Sequence, residues 1–143
     1  MSGAAFHIAR ARSYDLDEAA ALYHRVATQT LHWMPPNSFT PEVFLEQALH
    51  ETVWLAWEAR RIVGLAALYE PDSFLHSLYI DAAHQGRGIG LALLNTVAAA
   101  AREPLSLKVE EQNHRARRFY AREGFSEIET GVTDGSRWIL LSR

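Results

Sequence analysis

The sequence has no cysteine among its 143 residues, which removes disulfides, thiolate metal sites and a cysteine nucleophile at once. It has no excess of basic charge either: 14 Lys and Arg against 17 Asp and Glu give a formal net charge of -3. No nucleic-acid-coating surface is therefore expected. No apolar run approaches the length that crosses a bilayer. The opening Met1-Ser-Gly-Ala-Ala-Phe-His-Ile lacks the basic region and apolar core of a secretory signal. The expectation is a cytoplasmic protein without a membrane or nucleic-acid partner. Internal repeats, low-complexity tracts and linkers are also missing, and the length suits one full core rather than two. A single domain over residues 1–143 follows as the expected organisation.

What is present centres on residues 74–101. Phe74-Leu-His-Ser-Leu-Tyr-Ile-Asp81 reads as a strand, with Tyr79 and Ile80 as good strand formers. The turn Ala82-Ala-His-Gln-Gly-Arg-Gly-Ile-Gly90 follows, and then an Ala/Leu-rich segment that is a strong helix former. Strand, glycine loop and helix N-terminus in that order present unpaired backbone N–H groups and the positive end of a helix dipole. Such a place suits a phosphate or pyrophosphate. The spacing excludes two common versions. A dinucleotide fingerprint needs a third glycine at the sixth position, where this chain has Leu91, and the nucleotide P-loop triplet Gly-Lys-Ser/Thr does not occur.

The remaining chain reads as β-α-α-β-β-β-α-β-α-β-β. Strands are expected at Phe6–Arg12, Thr52–Glu58, Arg61–Tyr69, Leu105–Val109, Phe125–Thr130 and Arg137–Leu141. A helix follows Ser13 and Asp15, both expected as N-caps, and ends near Leu31. Thr40-Pro41 starts a short helix through Leu49, Gly88–Arg102 forms the long one, stopping at Glu103-Pro104, and Asn113–Arg122 the last, closed by Gly124. Short turns between three consecutive strands imply an antiparallel half, and the helical crossover implies a parallel neighbour. The expected fold class is α/β: a central, mixed, mostly antiparallel sheet of about seven strands flanked by about four helices.

Two motifs carry a family resemblance. Gln85-Gly86-Arg87-Gly88-Ile89-Gly90 after a Leu78-Tyr79-Ile80 strand resembles the acetyl-CoA-binding signature of the GCN5-related N-acetyltransferase (GNAT) family. Asn113-x-x-Ala116-x-x-Phe119-Tyr120-x-x-x-Gly124-Phe125 looks like that family's second block at every named position. The resemblance implies a GNAT fold splayed open between the fourth and fifth strands, with acetyl-CoA as the cofactor. It implies that the backbone of Leu78, Tyr79 and Ile80 pairs with the pantetheine, and that Gln85, Gly86, Arg87, Gly88, Ile89 and Gly90 hold the pyrophosphate. It also implies Tyr120 as general acid to the leaving thiolate and Asn113 as a cofactor contact or helix orienter. The family often has Asp-Pro where this chain has Asp81-Ala82, which makes that turn less rigid.

The residues themselves leave the base open between His76, Glu70 and water. An alkyl amine must lose a proton to attack, and His76 lies two residues before Leu78, on the same face of a regular strand. Tyr23, His24, His32, Trp33 and Met34 are the expected acceptor-binding residues, because the aromatic loop around Leu31–Phe39 fits no regular element. The function expected is acetyl transfer to a primary amine of a small molecule or peptide by a monomer or homodimer, with no metal. The alternative is a non-catalytic acyl-CoA-binding module.

Overall fold

The computed structural model describes residues 5–102 and 104–143. Among them the strands are β1 (His7–Arg10), β2 (Thr52–Glu58), β3 (Arg61–Tyr69), β4 (Phe74–Ile80), β5 (Ser106–Glu110), β6 (Ser126–Thr133) and β7 (Ser136–Ser142). The α-helices are α1 (Leu16–Thr30), α2 (Pro41–Ala48), α3 (Ile89–Ala100) and α4 (His114–Arg122). The strands form one seven-stranded sheet in the order β1-β2-β3-β4-β5-β7-β6. Every neighbouring pair is antiparallel except β4 and β5, which run parallel. The mixed sheet and its four helices agree with the expected fold class. Glu103, half of the expected stop to the long helix, lies outside the described residues.

Alternating side chains supply a core on each face of this sheet. One face packs Ala66, Leu68, Leu75, Leu107, Val109, Ile139 and Leu141 against Ile89, Leu93, Leu94 and Val97 of α3 and Tyr120 of α4. The other packs Val53, Leu55, Leu65 and Ala67 against Ala19, Leu22, Tyr23 and Val26 of α1 and Phe44 of α2. Gly64 on β3 marks how closely α3 approaches: a Cβ there would come within 2.9 Å of Ile80 and 3.1 Å of Leu93. A side chain at this position would lift the helix from the strand.

Local chemistry sets most element ends. Thr40 Oγ1 accepts from the Val43 N–H at 3.2 Å with Pro41 opening α2, as expected. The β6–β7 hairpin turns through Asp134 and Gly135, both at positive φ (51° and 77°), the pair that a two-residue turn favours. The β2–β3 connection turns through Ala59, whose φ of 55° is the left-handed conformation that Asn or Gly would have announced. The start of α1 differs from expectation. Asp15 occupies the N-cap position but its side chain caps nothing in α1. Its carboxylate instead accepts from the backbone N–H and the Nε of Arg12, at 2.9 and 3.0 Å. The side-chain charge of Arg12 outcompetes the neutral helix N–H groups for it.

Leu93 is fully buried under the sheet, so Leu93→Ala is expected to cost about 2–5 kcal/mol of stability in urea unfolding. A loss below half of the lower bound would mean that α3 does not anchor this face.

Candidate active site

The parallel pair β4–β5 is very short. Its register holds only Phe74 opposite Ser106 and Leu75 opposite Leu107. Beyond Leu75 the two strands part, while β4 stays paired with β3 up to Ile80 and β5 with β7 up to Glu110. The sheet therefore opens as a wedge with its apex at Leu75, bounded by Ser77–Ile80 on one side and Lys108–Glu110 on the other. An extended chain entering it meets the open edge of β4, the geometry of strand addition.

The glycine loop lies at the mouth of this wedge. Gly86 and Gly88 take φ of 78° and 84°, and nothing lies within 4 Å of where either Cβ would be. A side chain there would be strained by the backbone and would stand in the open space above the N-terminus of α3. Gly90 differs, with room for a Cβ at 3.7 Å from Ile80. Gln85 donates its side-chain Nε2 to the Ile80 carbonyl at 3.2 Å and so ties the loop to the strand end. A glycine loop with open space above a helix N-terminus suits a pyrophosphate group.

Ion pairs brace the mouth. Arg87 pairs with Glu58 at 2.6 Å. His84 contacts Asp81 through Nδ1 at 2.7 Å and Glu58 through Nε2 at 3.3 Å. Arg25 of α1 reaches Asp81 at 2.9 Å. The hydrogen bond from Arg87 lowers the Glu58 pKa against a smaller effect of burial. For Asp81 burial pushes upward, but hydrogen bonds from His84 and Arg25 outweigh it and the pKa is lowered. None of Arg25, Glu58 and Asp81 was legible as a partner, because the contacts join α1, β2 and the end of β4.

Tyr120 is set by a helix end. Gly124 at φ 91° terminates α4, with the Phe125 N–H donating to the Tyr120 carbonyl at 3.0 Å and the Gly124 N–H to Ala121 at 3.1 Å. This closure folds Phe125 back so that its ring lies 5.4 Å from that of Tyr120. Asn113 caps the other end, its side chain accepting from the Ala116 N–H at 3.2 Å. Burial raises the pKa of Tyr120 well above the ordinary phenol range. Tyr79 is raised likewise by burial, with further upward contributions from Tyr23, Tyr120 and Glu110. These groups are thus electrostatic neighbours.

His76 occupies a different setting from the one a regular strand predicts. Ala67 opposes Ser77 but Leu68 opposes Leu75, so His76 is the extra residue of a bulge. Leu75 and Leu78 accordingly pack into the same core, three residues apart. The alternation that would put His76 on the face of Leu78 is broken there. The imidazole Nδ1 lies 2.6 Å from Glu51, whose side chain is only 4% exposed against 39% for His76. Glu70 stands away from the glycine loop, accepting a hydrogen bond from Thr52 and lining a cavity of about 340 Å³ with Ala100 and Arg102 at the C-terminal end of α3.

The expected acceptor residues divide. Tyr23 is buried among Phe39, Phe44 and Tyr79, with ring centroids 5.3–6.1 Å away. Burial and then the charge of Glu51 push its phenol up to about 12. His24 hydrogen-bonds the Phe39 carbonyl at 2.8 Å and so holds the end of the loop that follows α1. His32 packs edge-on against Trp33 at 5.1 Å, and Met34 closes a turn onto the Leu31 carbonyl at 3.0 Å.

A mixed sheet split at one parallel pair, with a phosphate-suited loop at its mouth, is the architecture of an acyl-CoA-dependent transferase. The sequence profile of the acetyltransferase (GNAT) family matches residues 15–125, and the chain belongs to that family of acetyl-CoA-dependent N-acetyltransferases. Among solved structures it is similar to apo YjaB from Escherichia coli, with 24% identity, a TM-score of 0.80, and 96% of this chain and 97% of that chain covered. It is also similar to yncA from Salmonella typhimurium with its cofactor acetyl-CoA (20% identity, TM-score 0.76, 97% and 93% covered). A third is the ribosomal-protein-alanine N-acetyltransferase from Brucella melitensis (22% identity, TM-score 0.75, 96% and 98% covered). No curated protein matches the sequence. Among the described residues no helix is long and apolar enough to cross a membrane.

The lowered pKa of Asp81 sets a sign for its stability contribution. That contribution is present in full above the unfolded carboxylate value of 3.8 and is lost as pH falls through the folded value. The stability difference between wild type and Asp81→Asn is therefore expected to hold above about pH 5 and to shrink as pH falls from about 4 toward about 2. A difference that stays constant across urea melts in this range would remove Asp81 from the bracing network.

Proposed function

We propose that residues 1–143 form one catalytic domain that moves an acetyl group from acetyl-CoA to a primary amine of a small molecule or peptide. The observation that carries this reading is the parting of β4 from β5 directly after Leu75, with the glycine loop at the mouth. Gly86 to Gly90 hold the pyrophosphate through backbone N–H groups, and Gln85 fixes the loop that presents them. Arg87 and His84 shape the rim through Glu58. The backbone of Leu78, Tyr79 and Ile80 pairs with the pantetheine, and a backbone N–H there donates to the acyl oxygen, a contribution of about 3 kcal/mol. Bound acetyl-CoA supplies the activated thioester.

Tyr120 and His76 divide the proton traffic. The raised pKa of Tyr120 keeps its proton in place until the sulfur needs it. His76, at the apex of the wedge, takes a proton from the acceptor nitrogen as the C–N bond forms and the C–S bond breaks. Glu70 is the weaker base because its carboxylate is already engaged by the Thr52 hydroxyl. Asn113 acts by capping and orienting α4. Tyr23, His32, Trp33 and Met34 wall the acceptor site, and His24 holds that loop in place. Acetyl-CoA on yncA and coenzyme A on the Thermoplasma acidophilum PaiA N-acetyltransferase support the choice of cofactor. The name of the Brucella protein supports a peptide amine among the acceptors.

Tyr120→Phe is expected to lower the turnover number roughly tenfold or more while acetyl-CoA affinity stays nearly intact. Thiol release across a panel of polyamines, amino acids, aminoglycosides and short peptides reads this out, and equal activity would return Tyr120 to a packing role. Gly88→Val forces a β-branched residue to φ 84° and is expected to weaken acetyl-CoA binding roughly tenfold or more in calorimetry. Unchanged affinity would discredit the loop as the pyrophosphate site.

A further inference from the structure

Glu51 has no counterpart in the roles assigned so far, yet it is placed at a cost. Its side chain is 4% exposed and one oxygen lies 2.6 Å from His76 Nδ1. The other oxygen is buried and has no hydrogen-bond partner among the described residues. A buried carboxylate with an unmatched oxygen is destabilising relative to a fully satisfied or apolar side chain. Packing alone therefore does not explain the residue. Local sequence does not explain it either, because the pair spans 25 positions and joins the segment before β2 to the bulge of β4.

We propose that Glu51 is a positioning residue that holds the His76 ring and sets its tautomer, leaving Nε2 bare to accept the proton of the acceptor amine. The inference rests on the reading of His76 as the base. A carboxylate can only accept, so the hydrogen in this short contact sits on Nδ1, and a neutral imidazole protonated there carries its lone pair on Nε2. The separation is that of a charge-assisted hydrogen bond. The tilted ring of Phe74, 6.1 Å away, restricts the imidazole further. His76 is the first residue past the last β4–β5 pair, so the residue that Glu51 engages stands at the apex of the wedge. The same carboxylate charge adds to the rise in the Tyr23 pKa, so it acts on the acceptor side of the sheet.

The test begins with long-range proton–nitrogen correlation spectra of the labelled wild-type protein, which need no turnover. The expected result is His76 in the Nδ1–H form with Nε2 unprotonated. An Nε2–H tautomer would overturn the proposal, since Glu51 would then be the donor. Kinetics with the best amine of the panel follow. Glu51→Gln is expected to lower kcat about tenfold with the acetyl-CoA KM unmoved, and His76→Ala about a hundredfold, partly restored by added imidazole. Glu51→Asp, which keeps the charge but shortens its reach, should fall between wild type and Glu51→Gln. Lost turnover in His76→Ala beside full turnover in Glu51→Gln would sink the Glu51 role and leave the base standing. Full turnover in His76→Ala would remove the base, and the role of Glu51 with it.

Discussion

The molecule depends on a parallel strand pair that stops after two residues on each side. If β4 and β5 stayed paired along their length, the sheet would be continuous and no extended ligand could reach a strand edge within it. Ending the pairing at Leu75 and Leu107 exposes the edge of β4 while β3 still supports it from behind. The edge is thus rigid and available at once. The two cores serve that arrangement. One holds α3 against β3 and β4, closely enough that Gly64 has no space for a side chain. The other holds α1 and α2 against the opposite face and carries the aromatic residues around Tyr23. Because α3 packs so tightly, its N-terminus and the glycine loop before it stay in line with the end of β4.

Electrostatics finish what packing begins. Arg25, Asp81, His84, Glu58 and Arg87 join α1, the end of β4, β2 and the loop in one chain of contacts. The pairs are partly exposed, so each adds little to stability by itself. Their consequence is positional: they tie the loop to α1, β2 and the end of β4 at several points. At the other end of β4 the bulge releases His76 from the alternation of the strand, and Glu51 engages it. Each end of the same strand is therefore held by residues from a different part of the chain.

The elements readable in advance were those whose determinants lie within a few residues. Asn113 caps α4, Gly124 closes it by a positive φ, Thr40 and Pro41 open α2, and Asp134-Gly135 turns the last hairpin. The loop from Gln85 to Gly90 was legible for the same reason, since a glycine at positive φ before a helix is a local requirement. The expectations that failed lost to partners that the local pattern does not name. Asp15 was expected to cap a helix and is held by Arg12 instead. Strict alternation puts His76 on the face of Leu78, and a bulge opposite Ala67 and Leu68 breaks that alternation.

Sequence alone therefore determined the order of elements, the mixed sheet, the phosphate-suited loop and the helix that carries Tyr120, because periodicity, capping and turn chemistry act over short distances along the chain. Only the tertiary structure decided where β4 leaves β5, that Glu51 lies buried beside His76, that Glu70 is engaged by Thr52, and that the rim charges of the loop are paired with Glu58. Those are contacts between residues far apart in the chain, set by how the sheet twists and where its pairing ends. No window of sequence contains both partners.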